Sequence, residues 1–237
     1  MTTEPAPPPG KKLLAPLWHT AVLIAIFIAV GVLGAVFQNG SAAAPTGHQD
    51  STTLYISLVA SEWALVYFVW RGAKRNGFTL DDLIGRPWTT QTVIIDIVLG
   101  LALGIAWIGI DKAFDSLLGA GNAKSIDALL PQGPAEIALW LAVSLSAGFC
   151  EETVFRGYLQ KQFAALTGSS LLAIVIQAAV FGAGHTYEGL NAVARIVAYG
   201  VLFGALAQWR KNLLPCIVAH TWTDVFEGVL TRLLNWG

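Results

Sequence analysis

Residues 150 to 157 read CEETVFRG and follow WLAVSLSAGF, a run without a single charge. Two carboxylates and a guanidinium at the end of an apolar run are costly to place, and such groups persist where a partner or a cavity compensates them. In a helix, positions four apart share a face while neighbours are turned by about 100°. Glu152 therefore faces Arg156, and Glu151 points elsewhere. With Glu152 neutralised by Arg156, Glu151 is left as a free carboxylate in a desolvated setting, where it can serve as a general base. The same octet also reads as one structural ion cluster at the cytoplasmic interface.

Two further patterns share the four-residue spacing. In FGAGH, Phe181 and His185 lie on one face; in HTWTD, His220 and Asp224 do. A lone histidine among small residues reads as a packed side chain. An imidazole beside a carboxylate reads differently, because the pairing fixes the tautomer and presents the other ring nitrogen to a substrate, a water or a metal. Glu152 to His185 is 33 residues and His185 to His220 is 35, room enough for turns that bring three polar faces together. Glu62, Asp96 and Glu227 are further acids inside apolar runs; Glu62 and Asp96 read equally well as single acids holding helix register.

The elements that must carry these residues are membrane helices. The chain has 237 residues, 55% of them hydrophobic, 12% charged and nine of them Trp. Mean hydropathy is +0.61, and an average soluble domain is about 25% charged. The formal charge of -1, with few and dispersed basic residues, gives no reason to expect a nucleic-acid partner. Cys150 and Cys216 sit in apolar runs and read as small buried hydrophobes. A hydrocarbon core of about 30 Å needs around 20 apolar residues per helix. Runs of that kind lie near 13–37, 53–70, 92–110, 135–156, 169–185, 192–209 and 213–234. The expected fold is thus all-α, a polytopic bundle of seven membrane helices, with eight as the alternative count. The run 13–37 is too long for a cleaved signal and reads as a retained anchor. Residues 1–12 are proline-rich and expected to be disordered.

Cytoplasmic loops hold an excess of Lys and Arg. With the N-terminus inside, the cytoplasmic segments hold Lys11, Lys12, Arg71, Lys74, Arg75, Arg86, Arg156, Lys161, Arg210 and Lys211; the other side holds Lys112, Lys124, Arg195 and Arg232. Ten against four favours a cytoplasmic N-terminus in the cell membrane. Trp18, Trp70, Trp88, Trp209 and Trp236 fall near expected helix ends, where indoles anchor at the headgroups. If the helices were straight full spans, His185 and His220 would sit at different depths. The glycines of FGAGHTYEG are therefore expected to end a helix within the membrane beside a water-accessible, cytoplasm-facing cavity.

EETVFR, FGAGH and HTWTD, in that order, resemble the EExxxR, FxxxH and Hxxx(N/D) motifs of the CPBP intramembrane proteases. That family comprises the type II CAAX prenyl endopeptidases and bacteriocin-processing enzymes, also called the Abi family. The resemblance covers roughly residues 135 to 230, leaving 13–134 as generic membrane helices ahead of a catalytic core at 135–237. It implies hydrolysis of a peptide bond in a membrane protein or peptide substrate, lipidated or not. Glu151 would be the general base and, with His185, would hold the attacking water. His220 and Asp224 would act on the scissile carbonyl, and Glu152 with Arg156 would brace the site. Asp224 stands where the prenyl-protein enzymes usually carry Asn, which places the donor role on His220. The family is described both as metalloproteases and as metal-independent glutamate proteases. Glu151, His185 and His220 form an N/O set acceptable to Zn. The reading leans to no tightly bound metal, and HExxH is absent. The competing classes are a non-catalytic immunity or scaffold protein and an ion-coupled transporter. No internal repeat favours the transporter, and none of Glu151, His185 and His220 has been lost.

Overall fold

The computed structural model describes residues 12–40, 51–85, 88–119 and 130–230. The proline-rich tail up to residue 11, Arg86, Lys124, Arg232, Trp236 and the end of the seventh apolar run lie outside them. Helix α1 is Leu17–Gly40, α2 Thr52–Arg75, α3 Leu80–Ile84 and α4 Thr90–Leu118. Helix α5, Pro134–Glu152, runs through a π-helical turn, Thr153–Leu159, into α6, Gln160–Thr167. Then come α7, Ser170–Gly184, a 3-10 turn Thr186–Glu188, α8, Leu190–Arg210, and α9, Leu214–Val225, which ends in a second π-helical turn, Phe226–Leu230. The described residues contain no strand.

Among the described residues, five helices are long and apolar enough to cross a membrane: Leu17–Val36, Thr52–Arg75, Thr90–Leu117, Pro134–Thr167 and Leu190–Arg210. The chain is a multi-pass membrane protein. The other two expected spans are shorter. Helix α7 has 15 residues, about 22 Å at 1.5 Å per residue, and α9 has 12. The fourth run, expected to end near Arg156, continues to Thr167 because nothing between breaks a helix. The first breaker is Gly168, left-handed at φ +70. The FGAGHTYEG segment does end a helix, at Gly184, and Gly189 at φ +95 starts the next.

Helix starts follow local chemistry. Thr79 and Thr89 form capping boxes with Asp82 and Thr92. The Thr79 backbone N–H and hydroxyl both donate to Asp82 and hold its carboxyl below the ordinary range. Outward faces are apolar, as lipid requires: Leu33 and Val36 on α1, Ile56 on α2 and Val98 and Ile105 on α4 are all exposed. Inward, small residues let helices approach closely. A Cβ at Gly104 would meet the Trp222 ring, one at Gly100 would meet Val218, and one at Gly148 would collide with Thr221. Helix α9 is thereby pressed between α4 and α5.

Buried polar side chains fasten the rest. Asp96, an acid of unsettled role in the sequence, accepts from Arg210 Nε at 2.7 Å and Asn212 Nδ2 at 2.8 Å, which fixes the α8–α9 turn on α4. Gln162, fully buried, accepts from the Leu14 N–H at 2.7 Å and donates to the Ala15 carbonyl at 2.8 Å and to Thr20 at 3.1 Å. His19 Nε2–H donates to the Phe68 carbonyl, so Nδ1 accepts from the Tyr158 hydroxyl. The start of α1 is held to α2 and α6 through these bonds. Gln162→Leu would leave the Leu14 N–H and the Ala15 carbonyl without partners, and loss of such bonds costs about 2 kcal/mol. A lower unfolding temperature in detergent is expected, with proteolysis beginning at the N-terminal helix.

Candidate active site

Glu151 and Glu152 are the last residues of α5, immediately before its π-helical turn. A π turn leaves the i→i−4 ladder and shifts the following side chains around the helix, a distortion common at functional sites. Arg156 lies within it, and its Nη1 donates to Glu152 Oε1 at 2.9 Å with both side chains fully buried. The guanidinium carbon stands 4.7 Å from the Phe181 ring centroid, 5.5 Å from Phe203 and 5.9 Å from Tyr199. Aromatic faces thus attract the cation where water does not reach it.

His220 comes from α9. Its Nδ1–H donates to the same Glu152 Oε1 at 2.9 Å. Asp224, the partner expected from the four-residue spacing, stands 3.8 Å from Nε2, beyond hydrogen-bond distance. Glu151 also approaches Nε2, at 3.8 Å. The ring is therefore oriented by Glu152 across the helix interface, because α9 carries Nδ1 toward α5, and Nε2 is left between two carboxylates. His185, at the end of α7, has its Nδ1 2.8 Å from the Phe181 carbonyl. Nδ1 must carry the proton to donate there, so Nε2 is an acceptor.

His185, His220 and Asp224 line one cavity of about 120 Å³ together with Trp107, Tyr199 and Thr223. The convergence of the second and third motif faces is thus real, achieved because α7 stops at Gly184. Glu151 is not among the lining residues and approaches the cavity at His220 Nε2, 3.8 Å away. Glu62 on α2 is within electrostatic range of Glu151, Asp224 and His220, and its Oε2 is buried without a hydrogen bond. Glu227 lines the cavity with Glu188, Asp111 and Arg195.

Arg195 bridges Asp111 at 3.0 Å and Asp115 at 2.8 Å. Sequence alone gave no signal for this rim, since α4 lies outside the motif region. The second π turn positions Asp224: its carbonyl accepts from the Trp140 indole at 2.9 Å, and Gly228 leaves room for that indole. The Asp111–Arg195 rim lies about 22 Å along α4 from the Asp96–Arg210 pair, counting 15 residues. A cytoplasm-facing cavity and a cytoplasmic N-terminus were both expected. They conflict, because α4 passes from the Arg210 end to the cavity rim.

Cys150 and Cys216 are buried and free, as expected of small hydrophobes. The donor types of Glu151, His185 and His220 suit Zn. Among the described residues, however, no three His, Cys, Asp or Glu side chains are grouped so as to hold a metal ion. As they stand, these donors do not fit one.

Arg156→Met is expected to destabilise the fold by about 3 kcal/mol, since it strands a buried carboxylate. The pair Glu152→Gln with Arg156→Met should recover much of that loss. Thermal unfolding of the purified variants in one detergent compares the two.

Residues 133–226 match the family model described as Rce1-like, type II CAAX prenyl endopeptidase Rce1-like. No curated protein and no solved structure matches the chain.

Proposed function

With residues 133–226 forming an Rce1-like domain, consistent with the CPBP resemblance, we propose that the protein is an intramembrane endopeptidase that hydrolyses a peptide bond with a water activated by Glu151. The observation that carries this reading is the grouping of Glu151, Glu152 and Asp224 around one histidine. Glu152 is 2.9 Å from Nδ1, and the other two carboxylates are 3.8 Å from Nε2. A structural ion cluster would need only the Glu152–Arg156 pair. Two further carboxylates facing the opposite edge of the ring serve no packing purpose, and the polar cavity of about 120 Å³ beside them has room for a water and a carbonyl group.

In the proposed reaction Glu151 takes a proton from water, and the oxygen adds to the scissile carbonyl carbon while the C=O electron pair moves onto oxygen. The oxyanion then reforms the carbonyl, the C–N bond breaks, and the amine receives the proton held by Glu151. One water is consumed, and an acid and an amine are released. His185, with Nε2 as acceptor, helps hold the water. His220, Asp224 and Glu227 shape the carbonyl side, and Glu152 with Arg156 positions His220. Residues 135–237 supply these groups, while α4 of the preceding part contributes a wall through Trp107 and Asp111. The shorter α7 and α9 complete a seven-helix bundle, and the ten-to-four bias of basic residues favours a cytoplasmic N-terminus in the cell membrane.

General-base catalysis contributes about 10²- to 10⁴-fold. Cells making the wild-type chain and cells making Glu151→Gln should therefore differ in a membrane peptide that is shortened in the first and intact in the second. The identified peptide, presented to purified protein in lipid nanodiscs, should be cleaved about 10³-fold more slowly by the variant. Equal cleavage by both proteins rejects Glu151 as the base, and no cleavage by either returns the fold to a binding role.

A further inference from the structure

The motif residues around His220 Nε2 are rich in acceptors. Glu151 and Asp224 are carboxylates, and the Nε2 of His185 is an acceptor because its Nδ1–H is held by the Phe181 carbonyl. Thr223 spends its hydroxyl proton on the His220 carbonyl at 2.8 Å. Arg195 is occupied by Asp111 and Asp115 at the rim. A carbonyl that gains negative charge during hydrolysis needs preorganised donors aimed at its oxygen, and these groups leave that need unmet.

Tyr199 on α8 lies outside all three motifs and lines the same cavity. It is 7% exposed, and its hydroxyl is buried with the Thr223 side chain as its close polar neighbour, in a geometry that does not complete a hydrogen bond. Buried tyrosine hydroxyls ordinarily find a partner. The ring cannot swing away to seek one. It stacks on Phe203 at 3.8 Å between centroids, meets Trp107 edge-on at 5.0 Å, and meets His220 edge-on at 5.6 Å. A fixed hydroxyl beside the His220 ring, on a residue that lines the polar cavity, is a donor for which the free protein supplies no well-placed acceptor.

We propose that Tyr199 is a catalytic residue whose hydroxyl donates to the scissile carbonyl oxygen and holds it as charge develops there. The assignment rests on the endopeptidase reading above. It adds no step to the balance: the Tyr199 proton stays on its oxygen while the bond it donates shortens onto the oxyanion. It also accounts for an aspartate at position 224, since the donor work then falls to Tyr199 rather than to the side chain at that position.

Tyr199→Phe keeps the ring and its stacking and removes only the donor. With the peptide identified through Glu151→Gln, the expected result is a kcat lower by about 100-fold, a KM within about 2-fold and an unchanged unfolding temperature. A phosphinic analogue of that peptide carries a tetrahedral anionic group in place of the scissile bond. It should bind the variant about 100-fold more weakly than it binds the wild type. A wild-type kcat in Tyr199→Phe alongside an inactive Glu151→Gln overturns the Tyr199 assignment and leaves the endopeptidase reading standing. Wild-type rates in both variants overturn that reading and this inference with it. A fall in kcat matched by a lower unfolding temperature, with analogue affinity intact, assigns Tyr199 to packing and also overturns the inference.

Discussion

The contact on which the site depends is a single carboxylate oxygen, Glu152 Oε1, shared between Arg156 on its own helix and His220 on another. A buried carboxylate is tolerated when a cation and hydrogen bonds replace its water, and Arg156 supplies both. Arg156 is in turn held by the faces of Phe181, Tyr199 and Phe203. Through these contacts one buried charge pair ties α5, α7, α8 and α9 into a fixed relation. The imidazole of His220 inherits that rigidity, with Nδ1 committed and Nε2 presented to Glu151 and Asp224.

That arrangement requires close helix approach and two departures from regular helix. Gly100, Gly104 and Gly148 bring α9 against α4 and α5, which hydrophobic attraction alone would not achieve among lipid tails. The π-helical turns occur where α5 delivers Arg156 and where α9 leaves Asp224. In each, backbone regularity gives way so that a polar side chain can be aimed. Early termination of α7 at Gly184 similarly lets His185 reach the cavity from a helix too short to span.

Buried polar residues elsewhere divide into fasteners and groups without such a role. Asp96 and Gln162 have their hydrogen-bonding capacity used by Arg210, Asn212 and the start of α1, which marks them as fasteners. The Glu62 carboxylate and the Tyr199 hydroxyl are buried with an unsatisfied oxygen near His220. Unsatisfied atoms from α2 and α8 thus lie near the histidine, on helices outside the motif region or between its motifs.

Hydropathy made the membrane class and helical fold legible, because lipid demands long apolar runs. Four-residue spacing made the Glu152–Arg156 pair legible, because it is local to one helix. The same rule misassigned the partner of His220: Asp224 shares its face, yet Glu152 across the interface is the closer acceptor. Nothing local could reveal that exchange, the rim formed by Asp111 and Arg195, or Tyr199, since each depends on how neighbouring helices are rotated and packed. The end of the fourth run was misplaced because charge at Arg156 suggested a boundary, whereas its pairing with Glu152 and the aromatic faces of α7 and α8 make it internal. Residue types and spacing determined which chemistry was available; helix packing decided which atoms face one another, because that choice is made across interfaces rather than along the chain.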